Sequence, residues 1–390
     1  MSKKNIKVCY VSDNSSDMTG GARSQHSLMV TVRDMGVDPF FVTHKKTVQL
    51  QRAEEDGIKT LFIPAKIMSY PKGKFQIYSL LMYLPKRFYN LRQRKKMVNY
   101  LKENKFDLVH INSFFSCIEW ADAARKAKIP YVWHLREYVT HDHNRYIRGK
   151  QRYKFLLKHA ARILTISKDM QKYWSDKLGR RCDLVYNGLE VDTLYKNADA
   201  KLTSDTVRCA MVGRVAEGKR QLDAVNAIKL LRDKGYKNVS LVIVGYRGAI
   251  PYELEVKKYI TDNHLEDIVE LVGFTDDVSS ALESCDIGLI CSNREAFGRV
   301  TIEYMLAGLL AIGSDSGGTP ELITNDKTGL LYAPSDASKL AEKIEWVLLN
   351  KNKAKELLLS GQKNAVENFS IRSTAENVYR IYQEVLKSAE

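Results

Sequence analysis

The sequence predicts an α/β protein of two domains, each built on a parallel β-sheet with helices on both faces. Length is the first reason, because 390 residues exceed what a single hydrophobic core usually organises. The second reason is that short apolar runs, typical of buried strands, alternate with helical segments in both halves of the chain. Polar and turn residues interrupt this alternation at Tyr186–Asp205, which we interpret as the linker.

The individual elements follow in chain order. In the first half we predict a strand, a helix and four further strands, at Ile6–Ser12, Gly21–Met35, Pro39–Thr43, Leu108–Asn112, Tyr131–His134 and Ile163–Ser167. The second half repeats this order, at Val207–Val212, Gln221–Lys234, Ser240–Val244, Val269–Leu271, Ile287–Cys291 and Leu310–Ser314. Two such units in tandem predict a pair of Rossmann-like domains that face a cleft. The tail after Phe369 is predicted to be an amphipathic helix.

Charge is distributed unevenly between the two halves. The formal net charge is +15, yet residues 1–190 hold 36 Lys and Arg against 17 Asp and Glu, whereas residues 191–390 hold 25 against 29. Such asymmetry predicts an anionic partner for the first half. On charge alone, nucleic acid, anionic lipid and a phosphate-bearing substrate fit equally well, but no nucleic-acid recognition motif supports the first of these.

Residues 73–102 depart from the strand–helix alternation, since they mix Ile, Leu, Phe and Tyr with many basic residues. A basic amphipathic helix of this kind can lie in a lipid interface, or it can pack on the protein with a solvated basic face. The charge of the whole first half favours membrane contact. We therefore expect the first half to bind an anionic membrane surface.

Compartment is predicted from what the sequence lacks. No run approaches the roughly 18 apolar residues needed to span a membrane, and the first residues lead directly into a strand without an apolar signal core. The six cysteines are scattered, without C-x-x-C pairs, which favours buried free thiols in a reducing compartment. We expect a cytoplasmic protein, peripheral at the inner face of the cell membrane.

The most informative segment runs from Glu295 to Ile323. It holds two glutamates eight positions apart, Glu295 and Glu303, and we interpret it as loop, helix, strand, Gly-rich loop and helix start. A helix that begins near Gly298 directs free N–H groups and its positive dipole end at an anion. Carboxylates accept hydrogen bonds from sugar hydroxyls. A nucleotide-sugar fits this arrangement, because its anionic diphosphate lies between two hydroxyl-rich groups, the ribose and the hexose.

This segment resembles the E-x7-E signature of the retaining GT-B glycosyltransferases of family 4, also called glycosyl transferases group 1. The resemblance implies that Glu295 faces the donor sugar and that Glu303 holds the ribose hydroxyls. It also implies a donor-binding role for the residues between them, Phe297, Gly298, Arg299 and Val300. Taken alone, two spaced glutamates would more often be a solvated helix acid and a helix-cap neighbour. One departure is Leu310, where the family often has proline.

The resemblance extends over most of the chain and implies roles for further residues. Residues 1–190 would bind the acceptor, residues 191–369 the donor, and the helix at 370–390 would pack back on the first domain. Arg214 and Lys219 follow a strand, where two cations can neutralise a departing diphosphate. His134 corresponds to the histidine that contacts the transferred sugar, and His110 is a weaker alternative. The remaining donor-site residues implied are Gly20, Gly21, Gly245, Tyr246 and Phe274.

No D-x-D metal motif occurs, because Asp276 and Asp277 are adjacent. We therefore predict a metal-independent enzyme without a cofactor. It would transfer a hexose with retention from a nucleotide-sugar, foremost a UDP-sugar, to a glycan acceptor, foremost a lipid-linked one, in polysaccharide or glycoconjugate biosynthesis. Three alternatives remain open: a GDP- or dTDP-sugar donor, a nucleotide-sugar epimerase, and an inactive transferase-like scaffold.

Overall fold

A computed structural model describes residues 5–12, 18–71, 76–112, 117–138, 145–147, 149–245, 250–275 and 278–388. The chain divides into two compact units. The first unit comprises Met1–Gly188 together with Ile371–Glu390, and the second comprises Leu189–Ser370.

The first unit is built on a parallel sheet that has seven strands within the described residues, in the order β3-β2-β1-β5-β6-β8-β9. Two short strands, β4 and β7, pair antiparallel outside it. The strands are β1 (Ile6–Val11), β2 (Val37–Thr43), β3 (Lys59–Phe62), β4 (Ser69–Pro71), β5 (Leu108–Asn112), β6 (Tyr131–Leu135), β7 (Arg145–Ile147), β8 (Arg162–Thr165) and β9 (Asp183–Leu184). Its helices are α1 (Gly20–Thr31), α2 (Val48–Glu55), α3 (Gln76–Glu103), α4 (Ile118–Ala127), α5 (Lys150–Lys158), α6 (Lys168–Leu178) and α15 (Ile371–Lys387).

The second unit repeats the plan with a parallel sheet in the order β12-β11-β10-β13-β14-β15. Its strands are β10 (Val207–Val212), β11 (Val239–Val244), β12 (Val269–Gly273), β13 (Ile287–Ile290), β14 (Leu310–Ser314) and β15 (Leu330–Tyr332). Its helices are α7 (Val191–Leu194), α8 (Gln221–Asp233), α9 (Ile250–Asp262), α10 (Val278–Glu283), α11 (Arg299–Leu306), α12 (Thr319–Leu322), α13 (Ala337–Leu349) and α14 (Lys351–Asn368). Two parallel sheets with helical connections confirm the predicted fold class.

The C-terminal helix α15 completes the core of the first unit. Its apolar stripe, including Val378 and Val385, is buried in the same hydrophobic cluster as Leu28 of α1 and Phe41 of β2. Burying one such side chain contributes about 1.5–3 kcal/mol. The Tyr382 hydroxyl also reaches the sheet. The prediction of an amphipathic helix that packs back on the first domain is therefore confirmed.

Helix α3 covers the unusual basic segment and has a distinct exposed face. Leu81, Leu84 and Phe88 are 69%, 58% and 65% exposed, and Arg92 and Lys95 continue the same face toward the C-terminal end. This face is apolar toward the start of the helix and basic toward its end, so the two kinds of side chain follow one another along the helix axis. Within the described residues, no helix is both long enough and apolar enough to cross a membrane.

One basic residue of α3 does not lie on the exposed face. Arg94 is buried, and its guanidinium pairs with Glu119 at 3.1 Å and with Asp122. Arg152 contacts the same two carboxylates at 2.9 and 3.0 Å. Both carboxylates are strongly desolvated, so they require these cations. Arg94 therefore holds α3 on α4 and cannot contribute to a membrane surface.

Candidate active site

The predicted donor site lies where the strand order of the second sheet reverses. The neighbouring strands β10 and β13 end there, and the loops that follow them carry Arg214 and Lys219 on one side and Glu295 on the other. Ligands of open parallel sheets bind beyond the carboxyl ends of the strands at this point of reversal. Two loops that are far apart in sequence thus place three of the predicted residues at one edge.

The backbone at Glu295 is held by the Gly-rich loop that follows β14. Gly318 N–H donates to the Glu295 carbonyl at 2.8 Å, and Glu295 forms a parallel bridge with Gly317. A Cβ on Gly317 would lie 2.4 Å from that carbonyl oxygen, and its φ of +58° also disfavours other residues. The Gly317-Gly318 turn therefore serves to bring Glu295 into place.

The Glu295 carboxylate is surrounded by donors and cations. The Ser292 hydroxyl donates to it at 2.7 Å, the Lys219 ammonium forms an ion pair with it, and Arg214 adds a further positive charge. Burial alone would raise the pKa of Glu295, but the charge and hydrogen bond of Lys219, the Ser292 bond and Arg214 outweigh it, so the pKa lies below its ordinary value. The carboxylate is ionised at neutral pH.

The two predicted cations differ in their surroundings. Lys219 ends a 3₁₀ turn, Glu217–Lys219, and is about one-third exposed beside Glu295. The Arg214 side chain is exposed, while its carbonyl accepts a bond of 3.1 Å from Gln221 at the start of α8. The sequence predicted that both would face a diphosphate, but it did not predict the Lys219–Glu295 pair.

Helix α11 begins at Arg299, as predicted from the segment. Gly298 precedes it with φ +92°, a conformation that glycine adopts without strain. Glu303 lies one turn further along, and its carboxylate accepts a bond of 2.9 Å from Arg299 Nε. Both side chains are about one-sixth exposed, and Val300 on the same turn is half-buried. A ligand at Glu303 would therefore meet an acid that is already engaged by Arg299.

The four remaining predicted residues of this unit differ in their surroundings. Phe297 is buried and packs edge-on against Phe369 at 6.2 Å, so its ring belongs to the core. Phe274 is 65% exposed. Gly245 approaches the next loop closely, since a Cβ there would lie 1.7 Å from the Gly213 carbonyl oxygen. Tyr246 lies outside the described residues.

In the first unit, the predicted residues gather at the carboxyl edge of the first sheet. Gly20 and Gly21 form the first turn of α1, and a Cβ on Gly21 would lie 3.6 Å from Arg136 Cδ. Arg136 in turn lies 3.3 Å from His134 Nδ1 through Nη2. His134 is fully buried in β6. The Gly-Gly turn and His134 are therefore neighbours of one arginine.

His110 occupies the adjacent strand β5 and is equally buried. Its ring centroid lies 5.4 Å from that of His134, and its Nδ1 lies 2.5 Å from the Tyr382 hydroxyl, which donates to Tyr10 at 2.9 Å. Burial and then the charge of Arg136 lower the pKa of His110 to about 3. His110 thus links α15 to the sheet as a neutral residue.

Two family models together match most of the chain. Residues 190–364 match the family described as Glycosyl transferases group 1, and residues 18–193 match Glycosyltransferase Family 4. The chain belongs to the group 1 and family 4 glycosyltransferases. It is an enzyme that transfers glycosyl groups, and the predicted family is confirmed.

Individual proteins agree with this assignment. An uncharacterized glycosyltransferase of Methanocaldococcus jannaschii is 24% identical over 74% of this chain and 78% of its own length. The UDP-Gal:alpha-D-GlcNAc-diphosphoundecaprenol alpha-1,3-galactosyltransferase of Escherichia coli is 23% identical over 72% and 76%. The crystal structure of Anabaena HepE in complex with UDP and glucose matches 97% of this chain and 100% of that one, with a TM-score of 0.79 and 20% identity. The last likeness shows the fold.

Each of the two sheet edges also holds residues that the sequence analysis missed. Ser292 follows a buried apolar strand, which is a signal for a site residue in a parallel sheet, and it was available in the sequence. Arg136, Asn112 and Asn187 form a buried cluster beside His134. Chemically, the second unit offers two cations and a helix N-terminus for an anion, and two ionisable acids for hydroxyl groups.

Proposed function

We propose that this glycosyltransferase transfers a hexose from a UDP-sugar to a glycan acceptor, with retention of anomeric configuration and without a metal ion. The observation that carries the proposal is the group formed by Glu295, Lys219 and Arg214 at the edge of the second sheet. A charge-compensated carboxylate next to two cations suits a sugar diphosphate, whose leaving group gains negative charge as the glycosidic bond breaks.

Each of the predicted site residues discussed below, all in the second unit, has a role in this proposal. Arg214 and Lys219 stabilise the departing diphosphate, as does the N-terminus of α11 beyond Gly298. Glu295 faces the donor sugar, and Glu303 accepts bonds from the ribose hydroxyls. Because Lys219 is paired with Glu295 before donor binds, the incoming diphosphate shares a cation that is already in position. This prior placement reduces the cost of ordering Lys219 during the reaction.

UDP is the favoured nucleotide because two of the similar proteins name it. The Escherichia coli relative is named for UDP-Gal, and the Anabaena structure holds UDP with glucose. The test is a screen of purified protein for nucleotide diphosphate release from UDP-, GDP- and dTDP-sugars. Release from a UDP-sugar alone, weakened at low donor concentration by Glu303→Ala, supports the proposal. Release from GDP- or dTDP-sugars supports the alternative donors, and no release from any sugar supports an inactive scaffold.

A lipid-linked acceptor at a membrane is the second part of the proposal. The Escherichia coli relative is named for a diphosphoundecaprenol substrate. In this chain, the face of α3 exposes Leu84 and Phe88 and continues into Arg92, Lys95 and Lys96. Apolar side chains gain burial in the headgroup region, and each basic residue near an anionic leaflet contributes roughly 1 kcal/mol. We propose that this face binds the cytoplasmic, anionic membrane surface.

Vesicle sedimentation tests the membrane surface separately from catalysis. Wild type should sediment with vesicles that contain phosphatidylglycerol and be released by high salt, because surface charge is screened. The triple variant Arg92→Glu, Lys95→Glu, Lys96→Glu should remain in solution. A matched triple variant with Lys258→Glu, Lys339→Glu and Lys363→Glu, at exposed positions of the second unit, should sediment like wild type. Equal sedimentation of all three proteins would contradict the assignment of α3.

Arg94 is excluded from that variant for a structural reason. Reversing its charge would place a third carboxylate beside Glu119 and Asp122, and breaking a buried pair costs about 3–5 kcal/mol. Arg94→Glu should therefore lower the midpoint of urea unfolding strongly. The exposed triple variant should leave that midpoint unchanged, which separates loss of membrane binding from loss of folding.

A further inference from the structure

Arg136 is buried just beyond β6, and its guanidinium makes hydrogen bonds to three different side chains. Nε donates to Asn112 Oδ1 at the end of β5, and Nη1 donates to Asn187 Oδ1. Nη2 donates to His134 Nδ1 at 3.3 Å. Two amides from separate parts of the chain thus hold the guanidinium, and its third nitrogen is directed at the imidazole.

This contact determines which nitrogen of His134 carries a proton. A guanidinium has donors only, so His134 Nδ1 must accept, and the proton of the neutral ring then sits on Nε2. Burial, and then the charge of Arg136, hold the pKa of His134 well below its ordinary value. The ring is therefore neutral at physiological pH. His110 on β5 is the titratable neighbour that faces it, with Tyr382 and Tyr10 behind.

The other nitrogen of His134 is available to a ligand. Nε2 is buried and has no hydrogen-bond partner among the residues that the structure describes. Buried polar groups are nearly always hydrogen-bonded. Because the Nε2–H group lies at the carboxyl edge of a parallel sheet, where ligands bind, a bound ligand can provide its acceptor. A sugar hydroxyl oxygen can supply that acceptor.

We infer that Arg136 is a positioning residue that holds His134 as its Nε2–H tautomer, so that the ring donates a hydrogen bond to a hydroxyl oxygen of the sugar substrate. The inference rests on the proposed function, because the proposed reaction supplies the hydroxyl. Arg136 acts through His134 and does not itself touch the sugar. Asn112 and Asn187 contribute to this positioning, because their side-chain oxygens fix the orientation of the Arg136 guanidinium.

Nitrogen-15 NMR of histidine-labelled protein tests the tautomer without any substrate. The His134 signals are assigned by their loss in His134→Gln. In wild type, His134 should show the Nε2–H pattern and should not titrate between about pH 5.5 and 7.5, the range in which an ordinary histidine titrates. In Arg136→Met, the ring should show mixed tautomers and begin to titrate in this range. An Nδ1–H pattern in wild type, or spectra unchanged by Arg136→Met, would overturn the inference.

A double-mutant cycle tests whether the tautomer matters for catalysis. With the UDP-sugar that the donor screen identifies, Arg136→Met should lower kcat by about tenfold and change donor KM much less. In a His134→Ala background, Arg136→Met should cause no further loss, since residues that act through one another are not additive. Additive losses would show that Arg136 has only a structural role. If Arg136→Met does not fold, Arg136→Lys should show the same direction with a smaller change.

The two experiments separate the inference from the proposed function. If no nucleotide-sugar is turned over, the proposed function fails, and the NMR spectra still decide whether Arg136 holds the tautomer of His134. If a donor is turned over and Arg136→Met leaves both kcat and the His134 tautomer unchanged, the proposed function stands and the inference is wrong.

Discussion

Replacement of Glu303 by alanine should weaken donor binding by an amount that can be worked out from its contacts. A charged group that accepts hydrogen bonds from the ribose contributes about 1.5–3 kcal/mol. In the unbound protein, Glu303 accepts from Arg299 Nε at 2.9 Å. A partly exposed i,i+4 pair of this kind is worth about 0.3–0.5 kcal/mol, which the ribose must offset. The remainder, about 1–2.7 kcal/mol, predicts a donor KM raised about 5- to 100-fold.

The assay is steady-state release of nucleotide diphosphate, with Glu295→Gln as the comparison. Loss of Glu295 should chiefly lower kcat, because its carboxylate faces the reacting sugar and is held by Lys219 and Ser292. Glu303→Gln is the matched control, since its amide retains one acceptor oxygen and should give an intermediate KM. An unchanged donor KM in Glu303→Ala would refute the site assignment. Near-wild-type kinetics in both Glu303→Ala and Glu295→Gln would also refute it.

Three further predictions concern charge at the site. Arg214→Ala and Lys219→Ala should each lower kcat by about 100-fold, the scale of losing one charge-stabilising group, while a loss of less than threefold in both would count against the diphosphate role. Activity should persist in EDTA, and abolition by EDTA with rescue by manganese would contradict the charge-stabilisation argument. Because the pKa of Glu295 is lowered from its ordinary 4.5, its ionised form stabilises the fold above that pH. The stability difference between wild type and Glu295→Gln in urea unfolding should therefore shrink as the pH falls below 4.5, and a difference that grows would be inconsistent with the ion pair.

Local pattern predicted the elements well where apolar runs are continuous. The strands at Leu108–Asn112, Val207–Val212 and Leu310–Ser314 have the predicted bounds, because a run of buried β-branched and aliphatic residues marks a parallel strand directly. The three-residue strands β4 and β7 were missed, since three residues carry no measurable period. The first predicted helix is Gly20–Thr31 followed by a 3₁₀ turn, Val32–Met35, a tightening that periodicity does not show.

Contacts between residues that are far apart in the chain could not be predicted from the sequence. Lys219 and Glu295 are 76 positions apart, and only the strand order brings their loops together. Arg94 carries the same charge as its neighbours on α3, yet it faces Glu119, because the helix face that a residue occupies depends on the packing partner. Phe297 was expected at the donor, but its ring is buried in the core. The sequence motifs therefore indicated which residue types bind the donor, whereas the contacts among these residues depend on the folded structure.

The proposed site and the stereochemistry of transfer are tested together by proton NMR of the enzyme with an α-linked UDP-sugar selected by the donor screen, followed in real time. We expect UDP and an α-configured sugar product to appear together. Both signals should grow much more slowly with Glu295→Gln, and with Glu303→Ala they should approach the wild-type rate only at high donor concentration. A β-configured first product would contradict retention. UDP release that continues unchanged in both variants would show that the edge of the second sheet at Glu295 is not the active site.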